Sequence, residues 1–177
     1  ISVLINNAGI TRDNIVLRMS DEEWSDIMNV HLYGTFQLCK RSLKMMLKNK
    51  WGRIINMASV SVKEPLSYLA LSNSIRAAVT TWGKTLSNDL GSNNITVNNI
   101  LTGYFDTERI NQLNSEKAKK LNVDVEQVYE KMKNLVPLKR IGDPKEFGYL
   151  LTFLASENAA YINGANIPID GGILKSM

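Results

Sequence analysis

The stretch Tyr68-Leu69-Ala70-Leu71-Ser72-Asn73-Ser74-Ile75-Arg76 sets a phenol, a hydroxyl and a guanidinium at every fourth position. On a helix that spacing stacks side chains along one face. A phenol beside a fixed cation has its pKa drawn down from ~10 and can give and take protons. Here, however, the residue four beyond the tyrosine is Ser72, and the cation is an arginine. A serine alcohol is a far weaker acid, and a guanidinium stays protonated at any working pH. The stretch therefore reads as a rewritten active site, a damaged one, or an ordinary helix. His31, the single histidine, shares a helical face with Trp24, Ile27 and Met28. An imidazole can carry protons near neutrality, yet on an apolar face it reads equally as a satisfied core histidine. Ser59 closes the apolar run Ile54-Ile55-Asn56-Met57-Ala58 and either caps a turn or offers a reactive hydroxyl. A serine hydrolase is a weak reading, because no Gly-x-Ser-x-Gly elbow is present.

These groups need elements to hold them. Val3 to Asn6 reads as a short strand leading into the tight turn Asn6-Asn7-Ala8-Gly9. Ser20 and Glu23 form a capping box that starts a helix running to about Lys48, with Gly34 a close-packing point. Ile54–Ala58 is a second buried strand. A helix from about Leu69 to Leu90 ends at Gly91, and Ile95–Leu101 is a third strand, turned by Thr102-Gly103. From Glu108 to Leu135 the chain is polar and lysine-rich, as one or two exposed helices would be. Asp143-Pro144 starts a helix to about Ser156. Asn166–Asp170 is a last strand closed by Gly171-Gly172. Strand and helix alternate, which predicts an α/β fold with a parallel sheet covered on both faces.

Composition agrees with one domain over residues 1–177: 44% hydrophobic and 21% charged residues can bury a real core. The net charge of +4 is scattered, with no basic stripe interleaved with aromatics, so nucleic acid is not an expected partner. One cysteine, Cys39, excludes an internal disulfide, and one histidine excludes a histidine-based metal cluster. No apolar run approaches the ~20 residues that span a bilayer, and no signal-peptide pattern is seen, so no membrane partner is expected and the cytoplasm is the default location.

Several landmarks stand in order: Asn6-Asn7-Ala8-Gly9 after a strand, Gly52 to Ser59, Asn98 to Gly103, Arg140 to Glu146, and Asn163 to Gly172. Together they resemble the short-chain dehydrogenase/reductases, and in particular the 3-oxoacyl-carrier-protein reductase branch. The resemblance implies a Rossmann-type doubly wound parallel sheet in three αβα layers. It makes Ile1 the start of the family's fourth strand. The N-terminal cofactor-binding βαβ portion, with its Gly-rich turn, is then absent from this sequence, and the chain reads as the back part of something longer.

The family uses Ser, Tyr and Lys, with an Asn on the helix after the first landmark. Ser59 takes the serine place. Thirteen residues on, the tyrosine place holds Ser72, and four further the lysine place holds Arg76. The run Ala77 to Lys84 follows Arg76 at the family's spacing and supports that register, which leaves Tyr68 one turn early as a bystander. Trp24, His31 and Gly34 fit the pattern around the family's asparagine, so His31 takes its place. The resemblance thus implies Ser59, Ser72, Arg76 and His31 as catalytic positions. It implies Asn7, Ala8, Gly9, Arg76, Gly103 and Thr107 as cofactor contacts, with NAD or NADP as cofactor and no metal. It further implies a small-molecule or acyl-thioester substrate and a homodimer or homotetramer, a role for which the cluster Phe147, Leu150, Leu151, Phe153 and Leu154 is suited; a plain core helix explains that cluster too. Residues 108–135 would be the substrate lid, its lysines (Lys117, Lys119, Lys120, Lys131, Lys133) suiting an acidic substrate or simply facing solvent. Two functions follow: an NAD(P)-dependent oxidoreductase with a rewritten site, or a non-catalytic member that binds a nucleotide or partner.

Overall fold

The computed structural model describes residues 1–12 and 15–176. Its strands are β1 (Val3–Asn6), β2 (Gly52–Ser59), β3 (Ile95–Thr102) and β4 (Asn166–Ile169). All neighbours pair in parallel, in the order β1-β2-β3-β4. The helices are α1 (Asp21–Ile27), α2 (Gly34–Asn49), α3 (Ala70–Leu90), α4 (Glu108–Leu121), α5 (Val125–Leu135) and α6 (Pro144–Ala155).

The starts follow the capping chemistry. Ser20 Oγ accepts from Glu23 N (3.1 Å) while Glu23 Oε2 accepts from Ser20 N (2.9 Å). Asp143 and Glu146 form the same reciprocal pair at α6, with Pro144 at the first turn. The lysine-rich segment is two helices, each capped by a side chain, Thr107 for α4 and Asp124 for α5.

The helix expected from Ser20 to Lys48 is interrupted. Met28–Tyr33 is a π-helical segment between α1 and α2, and Gly34 N donates to Asn29 O, five residues back. Two side chains favour the wider turn. Thr35 Oγ1 donates to the His31 carbonyl at 2.7 Å, and the His31 ring reaches out to the loop after β1. Trp24, expected on the packed face, is half exposed, whereas Ile27 is fully buried. Tyr68 lies before α3 at a left-handed φ of 66° and is 79% exposed.

The two faces of the sheet are packed by different helices. Leu4, Ile54 and Val97 pack with Cys39 and Met46 of α2 and Leu90 of α3. Ile55 and Ile100 point the other way and pack on Leu154, Phe147, Leu150 and Leu151 of α6. That makes the doubly wound, three-layer arrangement. The strand order advances in one direction throughout, so placing α6 on the second face gives the β3-to-β4 crossover the opposite hand from the first two, against the usual rule. Most of the apolar cluster on α6 is thus core, and only Phe153, with Tyr149 beside it, is offered outward.

Four asparagines meet in register across the whole sheet. Asn6, Asn56, Asn99 and Asn166 are successive partners. Their amides chain together: Asn6 Nδ2 to Asn56 Oδ1 (2.8 Å), Asn56 Nδ2 to Asn99 Oδ1 (3.0 Å), and Asn99 Nδ2 to Asn166 Oδ1 (2.8 Å). Asn56 and Asn99 are completely buried. Helix α3 crosses directly above them at Gly83, where a Cβ would stand 2.7 Å from Asn99 Oδ1 and 2.8 Å from Asn56 Nδ2.

Candidate active site

An open cleft of about 460 Å³ lies beyond the carboxyl ends of the strands. In open α/β sheets this is where ligands bind. Its walls come from six elements or their ends: Asn7 after β1, Met57 and Ala58 of β2, Arg76 of α3, Thr102 and Gly103 at the end of β3, Thr107 and Arg109 at the start of α4, and Pro144 and Phe147 of α6. Phe105, Ile110, Pro144 and Phe147 supply apolar surface.

Arg76 is held against the end of β2. Its Nη1 donates to the Ala58 carbonyl at 3.3 Å, and Thr102 Oγ1 donates to the same oxygen at 2.9 Å. A permanent positive charge is therefore fixed at the floor of the cleft by backbone of the central strand. Gly103 is needed for close approach: a Cβ there would lie 2.7 Å from the Asp170 Cα, and Gly103 N donates to Ile169 O at 3.0 Å. Thr107 caps α4, its hydroxyl accepting from Ile110 N.

Of the positions expected to touch a cofactor, the cleft gathers Asn7, Arg76, Gly103 and Thr107. Ala8 falls on the other side of the β1 end, beside Val30, Gly34 and Leu38. Gly9 is locked against His31, whose Cε1 would be 2.7 Å from a Cβ at that position. His31 Nε2 lies 3.1 Å from Ile10 N and 2.9 Å from Ile10 O. It accepts from the first when unprotonated and donates to the second when it carries the proton. His31 thus buttresses the loop after β1 and does not line the cleft.

Ser59 is half-buried directly after Ala58, paired in register with Thr102, and its hydroxyl accepts from Ser61 N at 3.1 Å. Ser72 is half-buried one turn before Arg76 on α3. Both flank the cleft without lining it. The lysines of residues 108–135 line it nowhere. Lys133 is tied to Glu130 (2.7 Å) and Glu126 (3.4 Å), with Glu130 foremost in raising its pKa. That segment's contribution to the cleft is Arg109 and Ile110 instead.

A small set of apolar and backbone walls with two guanidinium groups (Arg76 and Arg109), two threonine hydroxyls and an asparagine amide fits the nicotinamide end of a dinucleotide. No carboxylate lines the cleft among the described residues.

A family model described as enoyl-(acyl carrier protein) reductase matches residues 1–174. The chain is 37% identical over 173 residues to a 3-oxoacyl-[acyl-carrier-protein] reductase of Vibrio cholerae, covering 98% of this chain and 66% of that protein. The corresponding reductase of Aquifex aeolicus is 35% identical, with 98% and 65% covered. The chain therefore spans just under two thirds of these relatives' length. Among solved structures, the NADPH-dependent reductase YwfH, involved in bacilysin biosynthesis, superposes with a TM-score of 0.93 at 32% identity, over 99% of this chain and 68% of that one. A parallel sheet wound on both faces, a cleft at its carboxyl edge and matches running almost end to end leave one assignment: the chain belongs to the short-chain dehydrogenase/reductase family, in the branch of its 3-oxoacyl-[acyl-carrier-protein] reductases.

Proposed function

We propose that the protein carrying this chain is an NAD(P)-dependent oxidoreductase acting on a carbonyl or alcohol, with 3-oxoacyl thioesters as the substrate class. The observation that carries this reading is the convergence of Asn7, Arg76, Gly103 and Thr107 on one cleft at the carboxyl edge of the sheet. The relatives' names point to the same chemistry.

When bound, the nicotinamide exchanges the hydride. The chain's own residues orient and neutralise. Gly103 and Ala58 keep the floor low where the ring would lie, and Thr107 offers a hydroxyl beside it. Arg76 places its charge where an alkoxide would develop, a stabilisation that needs no proton transfer. Ser59 and Ser72 stand beside the cleft, from where their hydroxyls would reach a substrate oxygen through a bridging water. Neither is a strong acid, so protonation depends on solvent, and the step runs about 10²–10⁴ slower than with a positioned phenol. His31 contributes by fixing the loop that carries Asn7. The exposed apolar side chains Tyr33 and Phe36, next to each other along one helix, and Tyr149 and Phe153 on another support a homodimer or homotetramer.

The test uses the full-length protein. NADH and NADPH binding is followed by nicotinamide fluorescence, and cofactor oxidation is assayed against 3-oxoacyl thioesters, sugars and simple ketones. Binding with slow thioester turnover is expected. Absence of dinucleotide binding would overturn the reading, and binding without turnover on any carbonyl would leave a nucleotide-binding protein in its place.

A further inference from the structure

We propose that Arg109 is a phosphate-binding residue of the cleft, parked on a neutral hydroxyl until a ligand arrives. Arg109 lies in the first turn of α4 and lines the cleft together with Arg76. Its Nη2 donates to Thr11 Oγ1 at 2.6 Å, a contact between residues 98 apart in sequence. The bond joins the lid helix to the loop after β1. Arg109 has no carboxylate within ion-pair distance among the described residues, whereas other cations of this region are committed. Arg140 grips Glu146 through two bonds of 2.6 Å, and Lys133 is held by two glutamates.

A guanidinium on a neutral hydroxyl makes a weak use of its charge. Charge-assisted bonds to an anionic oxygen are roughly twice as strong, and the planar fork suits phosphate oxygens in pairs. With no carboxylate on the cleft wall and Arg76 at its floor, a phosphoryl oxygen entering the cleft would win Arg109 from Thr11. The proposal rests on the functional reading above, because both ligands of that reading bring phosphate. One source is the cofactor's diphosphate. The other is the phosphate of a phosphopantetheine-linked thioester.

Arg109→Met and Arg109→Lys are made in the full-length protein, with Arg41→Met, on the exposed face of α2, as the charge control. Three quantities are read: the dissociation constants of NADPH and NADH, that of inorganic pyrophosphate by calorimetry, and KM for one 3-oxoacyl chain on coenzyme A and on N-acetylcysteamine, which lacks phosphate. Losing a charged hydrogen bond predicts at least about a tenfold loss in Arg109→Met, with partial rescue by lysine and none in the control. Loss in dinucleotide and pyrophosphate binding together assigns the cofactor diphosphate. Loss confined to KM of the coenzyme A thioester assigns the carrier phosphate. All values within twofold of the parent would overturn the proposal. Should the parent protein bind no dinucleotide, the functional reading fails, and the pyrophosphate titration still decides Arg109: a tenfold loss in Arg109→Met upholds it, and no difference overturns it.

Discussion

Arg76 and Ser72 are where the sequence already pointed to altered chemistry, and the structure gives Arg76 a definite seat on the Ala58 carbonyl. If these two hold the places of acid and cation, restoring both should restore a proton donor. Ser72→Tyr with Arg76→Lys is expected to raise thioester turnover by about 10²-fold or more, with dinucleotide binding little changed. Single replacements should do less, because the phenol needs its cation. Tyr68→Phe should change nothing, since its side chain faces solvent. The family spacing from Ser59 and Lys84 pointed to Arg76, and the resemblance after Thr102-Gly103 pointed to Thr107; both line the cleft. Neither pointed to Arg109. In the sequence that residue is one more charge in a polar segment, and only folding turns the first helical turn of α4 toward the cleft. Cys39 illustrates a different residue-scale effect. Burial pushes its thiol from 9.0 up to about 11, with a smaller opposing contribution from the Asn6 hydrogen bond. The folded pKa is the higher one, so the stability it confers is complete below pH 9 and is lost as pH rises toward 11. Alkylation by iodoacetamide at pH 8 should therefore be slow in the native protein and quick in urea.

At the scale of elements, the asparagine chain and Gly83 form one device. A polar row inside the sheet is costly wherever an amide is left unmatched; here each amide is linked to the next, and only Asn6 Oδ1 of the row is buried without a partner among the described residues. Asn56 stands in the middle, giving to Asn99 and accepting from Asn6. Asn56→Leu removes both bonds and sets an apolar side chain against two stranded amides, so a loss of about 2–4 kcal/mol in urea unfolding is expected. Gly83→Ala should cost about 1–3 kcal/mol, because α3 must lift off the sheet to admit the methyl group. A loss below about 0.5 kcal/mol in either variant would contradict this account. Asp143→Ala removes an N-cap and should cost α6 about 1 kcal/mol. The caps of α1 and α6 were readable from four-residue patterns. The asparagine chain was not, since it exists only once four distant strands fall into register. The π-helical segment escaped for a related reason: Thr35 and His31 look unremarkable until one takes the other's carbonyl and the ring finds Ile10.

For the whole molecule, two half-buried carboxylates make stability sensitive to acid. Arg140 holds Glu146 down to about 2, helped by the backbone of Asp143. The backbone N–H groups of Ser176 and Lys175 lower Glu64, which thereby fastens the end of the chain to the loop after β2. Both folded pKa values lie below 4.5, so their stabilisation is complete above that pH and is lost as pH falls, toward 2 for Glu146. Glu146→Gln should flatten that limb of a melting-temperature profile. The sheet's alternation and its two covered faces were legible from periodicity alone, but the reversed crossover was not, because periodicity does not say which face a helix will cover. That crossover has a mechanical consequence. The excursion from Gly103 to Ala165 is pinched shut where β4 returns beside β3, with Asn99 N meeting Ala165 O at 2.8 Å and Gly103 N meeting Ile169 O. Helices α4 and α5 pack on each other within it, and Lys119 and Lys120 near their junction are exposed. A tryptic nick there would cut the chain and leave the body intact: the downstream fragment would stay clamped by β4 in the sheet and by α6 on Ile55 and Ile100. The two pieces should travel together on a native sizing column and part only in denaturant, so that the molecule behaves toward a protease as a complex of two chains that happen to be joined.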